Sequence, residues 1–143
     1  MIEKILCDSE MLALIVRSNF EKNGIEFFTP SNFSQQLGYM KRPKGYVVTP
    51  HIHKPVSREI FYTKEVLFIK RGKLRFDFYD KEQKYLESKI LEKGDIILLA
   101  FGGHGIEVLE EAEIIEVKQG PYTGEMDKGR FEPIDKSKVV FKH

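Results

Sequence analysis

Cysteine is almost missing from this chain. Cys7 stands alone, so no intramolecular disulfide can form and no thiolate cluster can close a structural zinc site. An excess of either charge is missing too. The 23 Lys and Arg residues meet 22 Asp and Glu, for a formal net charge of +1, which offers no electrostatic footprint for nucleic acid. Long apolar runs are lacking. The longest early one, Met11 to Val16, is far short of a membrane span. Glu3, Asp8 and Glu10 interrupt the N-terminal region, so it does not read as a signal peptide. No Gly-x-Ser-x-Gly string, phosphate loop or dinucleotide fingerprint occurs, which argues against nucleotide-dependent transfer. No internal repeat stands out. The expectation is a cytoplasmic protein with no nucleic-acid or membrane partner.

What is present suits one domain. The chain has 143 residues, 41% of them hydrophobic, enough for a real core. Residues 9–22 read as a helix lying on the outside of the fold. Ser9 serves as its cap, Met11, Leu12 and Ile15 fall near helical spacing, and Asn23-Gly24 supplies the stop. Residues 25–29 and 35–40 read as short strands, and Arg42-Pro43-Lys44-Gly45 as a turn. From residue 46 the pattern is β, with strands expected near 46–53, 65–70, 73–80, 85–91, 96–100, 105–109 and 113–119. The separators are turn-like: Arg71-Gly72, Asp80 to Lys84, Lys93-Gly94, Gly102-Gly103 and Glu110-Glu111-Ala112. Short strands at such spacing suggest an antiparallel sandwich or barrel. Leu74, Phe76 and Phe78 alternate with Arg75, Asp77 and Tyr79, giving a strand with two distinct faces. Beyond Gly120-Pro121 the chain reads as a tail. Val139-Val140-Phe141 is a candidate edge strand, in this chain or in a partner subunit, and His143 is expected to lack order.

Three of the four histidines carry the chemistry. His51 and His53 are two apart, so an extended strand presents both imidazoles on one face, about 6–7 Å apart at Cα. Glu65 and His104 complete a site of three imidazoles and one carboxylate. Such a set suits one divalent transition metal, Zn, Fe, Ni or Mn, with open positions for water or substrate. The bland alternatives are two polar residues on an exposed strand, a strand-end charge and a loop histidine bound to backbone. Arg58 is a candidate catalytic clamp for a carboxylate or phosphate, the alternative being a solvated loop charge. Glu65 is the candidate for moving a proton. Tyr46 or Tyr79 is the candidate acid if no metal is used, and Phe101 is a candidate stacking floor for a sugar ring. Glu116 and Lys118 share a face near the end of the sheet, and an ordinary cross-strand ion pair would explain either.

These residues resemble the cupin superfamily. Its first motif runs Gly, five residues, His-x-His, a short gap, Glu, six residues, Gly. Here Gly45, His51-Ile52-His53, Glu65 and Gly72 keep both spacings around the glycines, while the gap between His53 and Glu65 is eleven residues, Lys54 to Lys64. Glu59 lies closer to His53 but lacks the spacing to a glycine, and is the fallback ligand. The second motif is matched by Gly94-Asp95, Gly102 and His104. Ala100 stands where Pro is usual, Val108 where Asn is usual, and His104 arrives one residue early. The resemblance covers residues 45–119. It implies a mainly β fold, a cupin-type antiparallel β-barrel (jelly roll) with a short N-terminal helix, one domain over 1–143, a metal in the barrel mouth held by His51, His53, Glu65 and His104, and a homodimer. The strings Glu65 to Ile69 and Val117 to Tyr122 are similar to a group of small bacterial cupins, some linked with surface-polysaccharide synthesis. That implies a small-molecule substrate such as a sugar derivative, and isomerase, epimerase or oxygenase chemistry. The alternatives are a metal-free sugar isomerase or epimerase and a non-catalytic binding module.

Overall fold

A single long strand organises the larger part of the chain. β5 (Glu65–Tyr79) runs 15 residues and pairs along its whole length with β8 (Gly103–Lys118). In the computed structural model, which describes residues 1–142, this ribbon belongs to the larger of two compact units, residues 1–20 and 62 onward. The expectation for His143 lies outside the described residues.

Two of the expected turns are bends inside these strands. By sequence, Arg71-Gly72 reads as a break between strands 65–70 and 73–80, and Glu110-Glu111-Ala112 as a break between 105–109 and 113–119. The structure carries β5 and β8 straight through both, with register shifts between Ile69 and Leu74. Gly72 takes φ +90° there, a conformation that suits glycine. The bend also changes the phase of the strand. Leu67 and Ile69 face the core before it, and Leu74, Phe76 and Phe78 after it. An irregular step that shifts parity lets one strand serve two walls of one core.

The remaining strands of this unit are β1 (Ile2–Cys7), β2 (Glu10–Val16), β6 (Tyr85–Glu92) and β7 (Ile96–Leu99). Their order is β1-β2-β7-β5-β6, all neighbours antiparallel, with β8 on the other side of β5. The sheet curls into a half-barrel around Ile5, Leu12, Ile15, Ile97, Phe76 and Phe78. The mainly β expectation holds at this level.

The N-terminal helix is not formed, and this corrects the sequence reading. Residues 10–16 are β2, lying between β1 and β7. The reason lies in the run Met11 to Val16, in which all six residues are buried. A helix would need a polar face, whereas a central strand covered on both faces wants an unbroken apolar run. Ser9, read as a cap, sits with Asp8 in the two-residue loop of the β1–β2 hairpin, where Asp8 takes φ 54°.

The face of Arg75, Asp77 and Tyr79 is as buried as the apolar one. The Asp77 carboxylate accepts from Arg75 Nε at 2.8 Å and from Ser88 Oγ at 2.5 Å, while Arg75 Nη1 reaches Glu107 at 2.7 Å. The C-terminal tail covers this face. Ile134 N donates to Tyr79 Oη at 2.9 Å, Phe131 packs edge-on against the Tyr79 ring, and Phe141 bridges Ser88. The candidate edge strand at 139–141 is not formed as a strand; Phe141 makes one isolated bridge to Ser88 of β6 in its own chain.

The smaller unit is Glu21–Phe61. It holds a hairpin of β3 (Gly24–Phe27) and β4 (Gly38–Lys41), in agreement with the two short strands expected there. Thr29 and Gln36 tie its loop, Thr29 Oγ1 lying 2.8 Å from Gln36 Oε1. The strand expected over 46–53 is not formed, a second correction. Residues 46–61 have no regular structure and are exposed throughout. Strand-like patterning makes a strand only where an edge is paired, and this stretch has no ladder partner.

Candidate functional site

Glu65 opens β5, directly opposite Lys118, the last residue of β8. Facing positions on an antiparallel ladder bring side chains together, and Lys118 Nζ lies 3.0 Å from Glu65 Oε1. His104 comes from the other end of β8. The bend at Gly72 folds the ribbon so that His104 Nε2 stands 3.3 Å from Glu65 Oε2. Both oxygens of one carboxylate are thus engaged, one by imidazole and one by ammonium. Lys118 also reaches Glu116 Oε1 at 2.8 Å.

The electrostatics follow from this contact set. The hydrogen bond from His104, joined by one from Lys118, holds the Glu65 carboxyl down at about 2 although burial pushes it up. Glu116, and then Glu65, raise the Lys118 ammonium well above its ordinary value. A carboxylate oxygen has no proton to give, so His104 Nε2–H donates. In the neutral ring the lone pair then lies on Nδ1.

These groups line an open cleft of about 670 Å³. Tyr62 and Phe101 form an aromatic wall, their rings edge to face with centroids 5.3 Å apart. Lys64 Nζ lies 4.5 Å from the centre of the Phe101 ring. The tail supplies the opposite side through Asp127, Arg130 and Phe131. Thr63 Oγ1 donates to Asp127 Oδ2 at 2.6 Å and ties the tail to the cleft mouth. Phe101 therefore belongs to the cleft, as the sequence reading allowed.

The residues singled out by sequence fall into two groups. Glu65 and His104 meet in the larger unit. His51, His53, Arg58 and Glu59 belong to the smaller one. There the two imidazoles are neighbours, with centroids 5.2 Å apart. His51 Nδ1 lies 2.9 Å from Thr49 O; a carbonyl only accepts, so Nδ1 carries the proton and Nε2 keeps the lone pair. The Arg58 guanidinium lies 3.5 Å from Val56 O. Tyr46 is exposed, with Arg42 over its ring. Tyr79, the other candidate acid, is a structural pin, since its hydroxyl accepts from Ile134 N.

A transition metal would draw on His51, His53, Glu65 and His104. Among the described residues, no three His, Cys, Asp or Glu side chains gather into a group able to hold an ion. The Lys118 ammonium beside Glu65 repels a second cation, and His104 turns an N–H toward Glu65. Within the larger unit, Glu65 and His104 are thus turned toward each other and toward Lys118.

Lys118 was underrated by the sequence reading, and Tyr62, Asp127 and Phe131 were missed. The antiparallel pairing of Glu65 with Lys118 is the signal for Lys118, once strands 65–70 and 113–119 are aligned. No family model, curated protein or solved structure matches this chain.

Proposed function

We propose that the chain is a cupin-type jelly-roll enzyme whose cleft performs acid–base chemistry on a small polar metabolite such as a sugar derivative. The observation that carries this reading is the pair His104 Nε2–Glu65 Oε2 at 3.3 Å, set beside Lys118 in a cleft with an aromatic wall. Glu65 stays ionised at neutral pH, so it is a poor base. It fixes the tautomer of His104 and stabilises the imidazolium that forms when Nδ1 accepts a proton. The proton comes from a carbon next to a carbonyl, and its electron pair moves to the carbonyl oxygen. If the hydroxyl on the first carbon passes its proton to the enolate oxygen, return of the carbon-bound proton to the former carbonyl carbon isomerises the substrate, moving the carbonyl by one position. Return to the opposite face of the first carbon epimerises it. Tyr62 and Phe101 supply an apolar surface for a sugar ring.

The test is solvent-isotope exchange. Purified protein, stripped with a chelator, is incubated in deuterium oxide with a panel of aldoses, ketoses and sugar acids, and carbon-bound deuterium is read by mass spectrometry. Incorporation that survives chelation and falls at least about 100-fold in His104→Gln supports the reading. Incorporation unchanged in His104→Gln overturns it, and so does no incorporation in any substrate.

A second reading keeps the metal. The His51 tautomer leaves Nε2 with its lone pair, and the His53 ring stands beside it. Two such imidazoles are half of a transition-metal donor set. Elemental analysis of tag-free protein tests this. About one metal per chain, lost in both His51→Ala and His104→Ala, favours it over the metal-free reading.

A further inference from the structure

β1 and β6 are the two ends of the strand path, and among the described residues no ladder joins them. Side chains bridge them instead. Lys89 Nζ of β6 lies 3.1 Å from Glu3 Oε2 of β1. Arg17, which follows β2, donates from Nε to Glu3 Oε1 and from Nη1 to Ile90 O at 2.7 Å. The half-barrel is therefore laced along this seam without being closed by backbone. The seam holds a second open cavity of about 660 Å³, which shares no lining residue with the cleft. The end of the tail, Phe141 and Lys142, forms part of its wall.

The charges of this cavity are of one sign. Its lining carries four cations, Lys4, Arg17, Lys89 and Lys142, and one acid, Glu3. Burial pushes the Glu3 carboxyl up, but the hydrogen bonds from Arg17 and Lys89 outweigh it and hold the group below its ordinary value. Both of its oxygens are thus engaged. Asp95 lies 2.9 Å from Arg17 Nη1, and Glu87 3.8 Å from Lys89 Nζ. With these two counted in, four cations still face three carboxylates. The surplus belongs to Lys4 and Lys142, which have no ion-pair partner among the described residues. Arg17 adds free donors, because its three side-chain bonds use Nε and Nη1 and leave Nη2. Between the cations the wall is apolar, with Ile90 and a Phe141 side chain that is 49% exposed.

We propose that this seam is a binding site for a small organic anion, a monocarboxylate carrying an apolar chain. The carboxylate sits among Lys4, Lys142 and Arg17 Nη2, and the chain lies along Ile90 and Phe141. Arg17 and Lys89 are half-buried, so their pull on an anion is screened less than that of a surface lysine. The proposal goes beyond the acid–base reading, and its test needs no turnover.

The experiment titrates octanoate into isotope-labelled protein and follows backbone amide shifts by NMR. Saturable shifts are expected at residues 3–4, 89–90 and 141–142, with a Kd of about 0.1–1 mM at about 0.05 M NaCl. Binding weakens severalfold at about 0.5 M NaCl. Octanol lacks the charge and acetate lacks the chain, so each is expected to bind at least about fivefold more weakly. Lys4→Gln combined with Lys142→Gln replaces two exposed side chains. It is expected to weaken octanoate about fivefold with unchanged circular dichroism. No saturable shift up to about 10 mM octanoate overturns the proposal. So do shifts confined to the cleft, octanol or acetate binding as tightly as octanoate, or an affinity unmoved in the double variant.

Discussion

Ala112 leaves no room for a side chain at Gly72. A Cβ built on Gly72 stands 2.6 Å from Ala112 Cα and closer still to the Glu111 carbonyl oxygen. The contact marks the bend of the β5–β8 ribbon, and that bend brings His104 back to Glu65. Gly72→Ala therefore meets both a backbone clash and a φ of +90°. It is expected to lower stability by about 2–4 kcal/mol in urea unfolding. Gly129→Ala has open space around it and is expected to stay within about 0.5 kcal/mol. Equal effects at the two positions would contradict the bend.

Asp77 is the hub of the buried polar face. It holds the Arg75 guanidinium through both carboxylate oxygens, at 2.8 and 3.0 Å, and accepts from Ser88. Asp77→Ala leaves a buried cation with Glu107 as its remaining acidic partner, at an expected cost of about 3–5 kcal/mol. Ser88→Ala removes one hydrogen bond and is expected to cost about 1–2 kcal/mol. Denaturant titration of both variants reads the order, and a reversed order would refute the hub.

Glu65 couples the cleft to acid stability. Its folded carboxyl sits at about 2, below the ordinary 4.5. A depressed carboxylate contributes stability fully present above its unfolded value and lost as pH falls through the folded one. The loss therefore runs from about pH 4.5 down to about pH 2, on the order of 2–3 kcal/mol. The pH profile of Glu65→Gln is expected to be flatter than wild type by that amount. Parallel profiles over this window would show that His104 and Lys118 do not hold the carboxylate.

Tyr79 pins the tail. Its side chain is buried, and its hydroxyl accepts from Ile134 N at 2.9 Å. Tyr79→Phe strands that N–H and is expected to cost about 1–2 kcal/mol. Limited proteolysis is expected to cut residues 120–134 faster in the variant. Unchanged cleavage there would mean that Phe131 and the Ser88–Phe141 bridge hold the tail without the hydroxyl.

The legible parts of the fold were those with local causes. The alternation in β5, the Asp80–Lys84 turn and the four-residue apolar strand β7 each follow from pattern and turn chemistry. Asp80 accepts from Glu82 N and Lys84 N, a turn that needs no distant partner. The misread parts lacked such causes. Met11 to Val16 is an apolar run that fits a buried helix segment or a central strand equally well by periodicity. Residues 46–53 carry the preference of a strand without an edge to complete it. Of the site, Glu65 and His104 stood out as candidate ligands, while Lys118, whose ammonium reaches Glu65 and Glu116, read only as an ordinary ion-pairing residue.

By itself, the sequence determined the class of the protein: mainly β, nearly neutral, single-cysteine, with its ionisable candidates at Glu65, His104 and the His51–His53 pair. These properties are sums or short-range patterns, and they need no knowledge of which strand meets which. The tertiary structure alone decided that Arg71-Gly72 bends a strand instead of ending it. It also decided that Lys118 faces Glu65, and that the tail seals the Arg75–Asp77 face. Each depends on contacts between residues far apart in the chain, where one residue of register changes which side chain points into the core and which into the cleft.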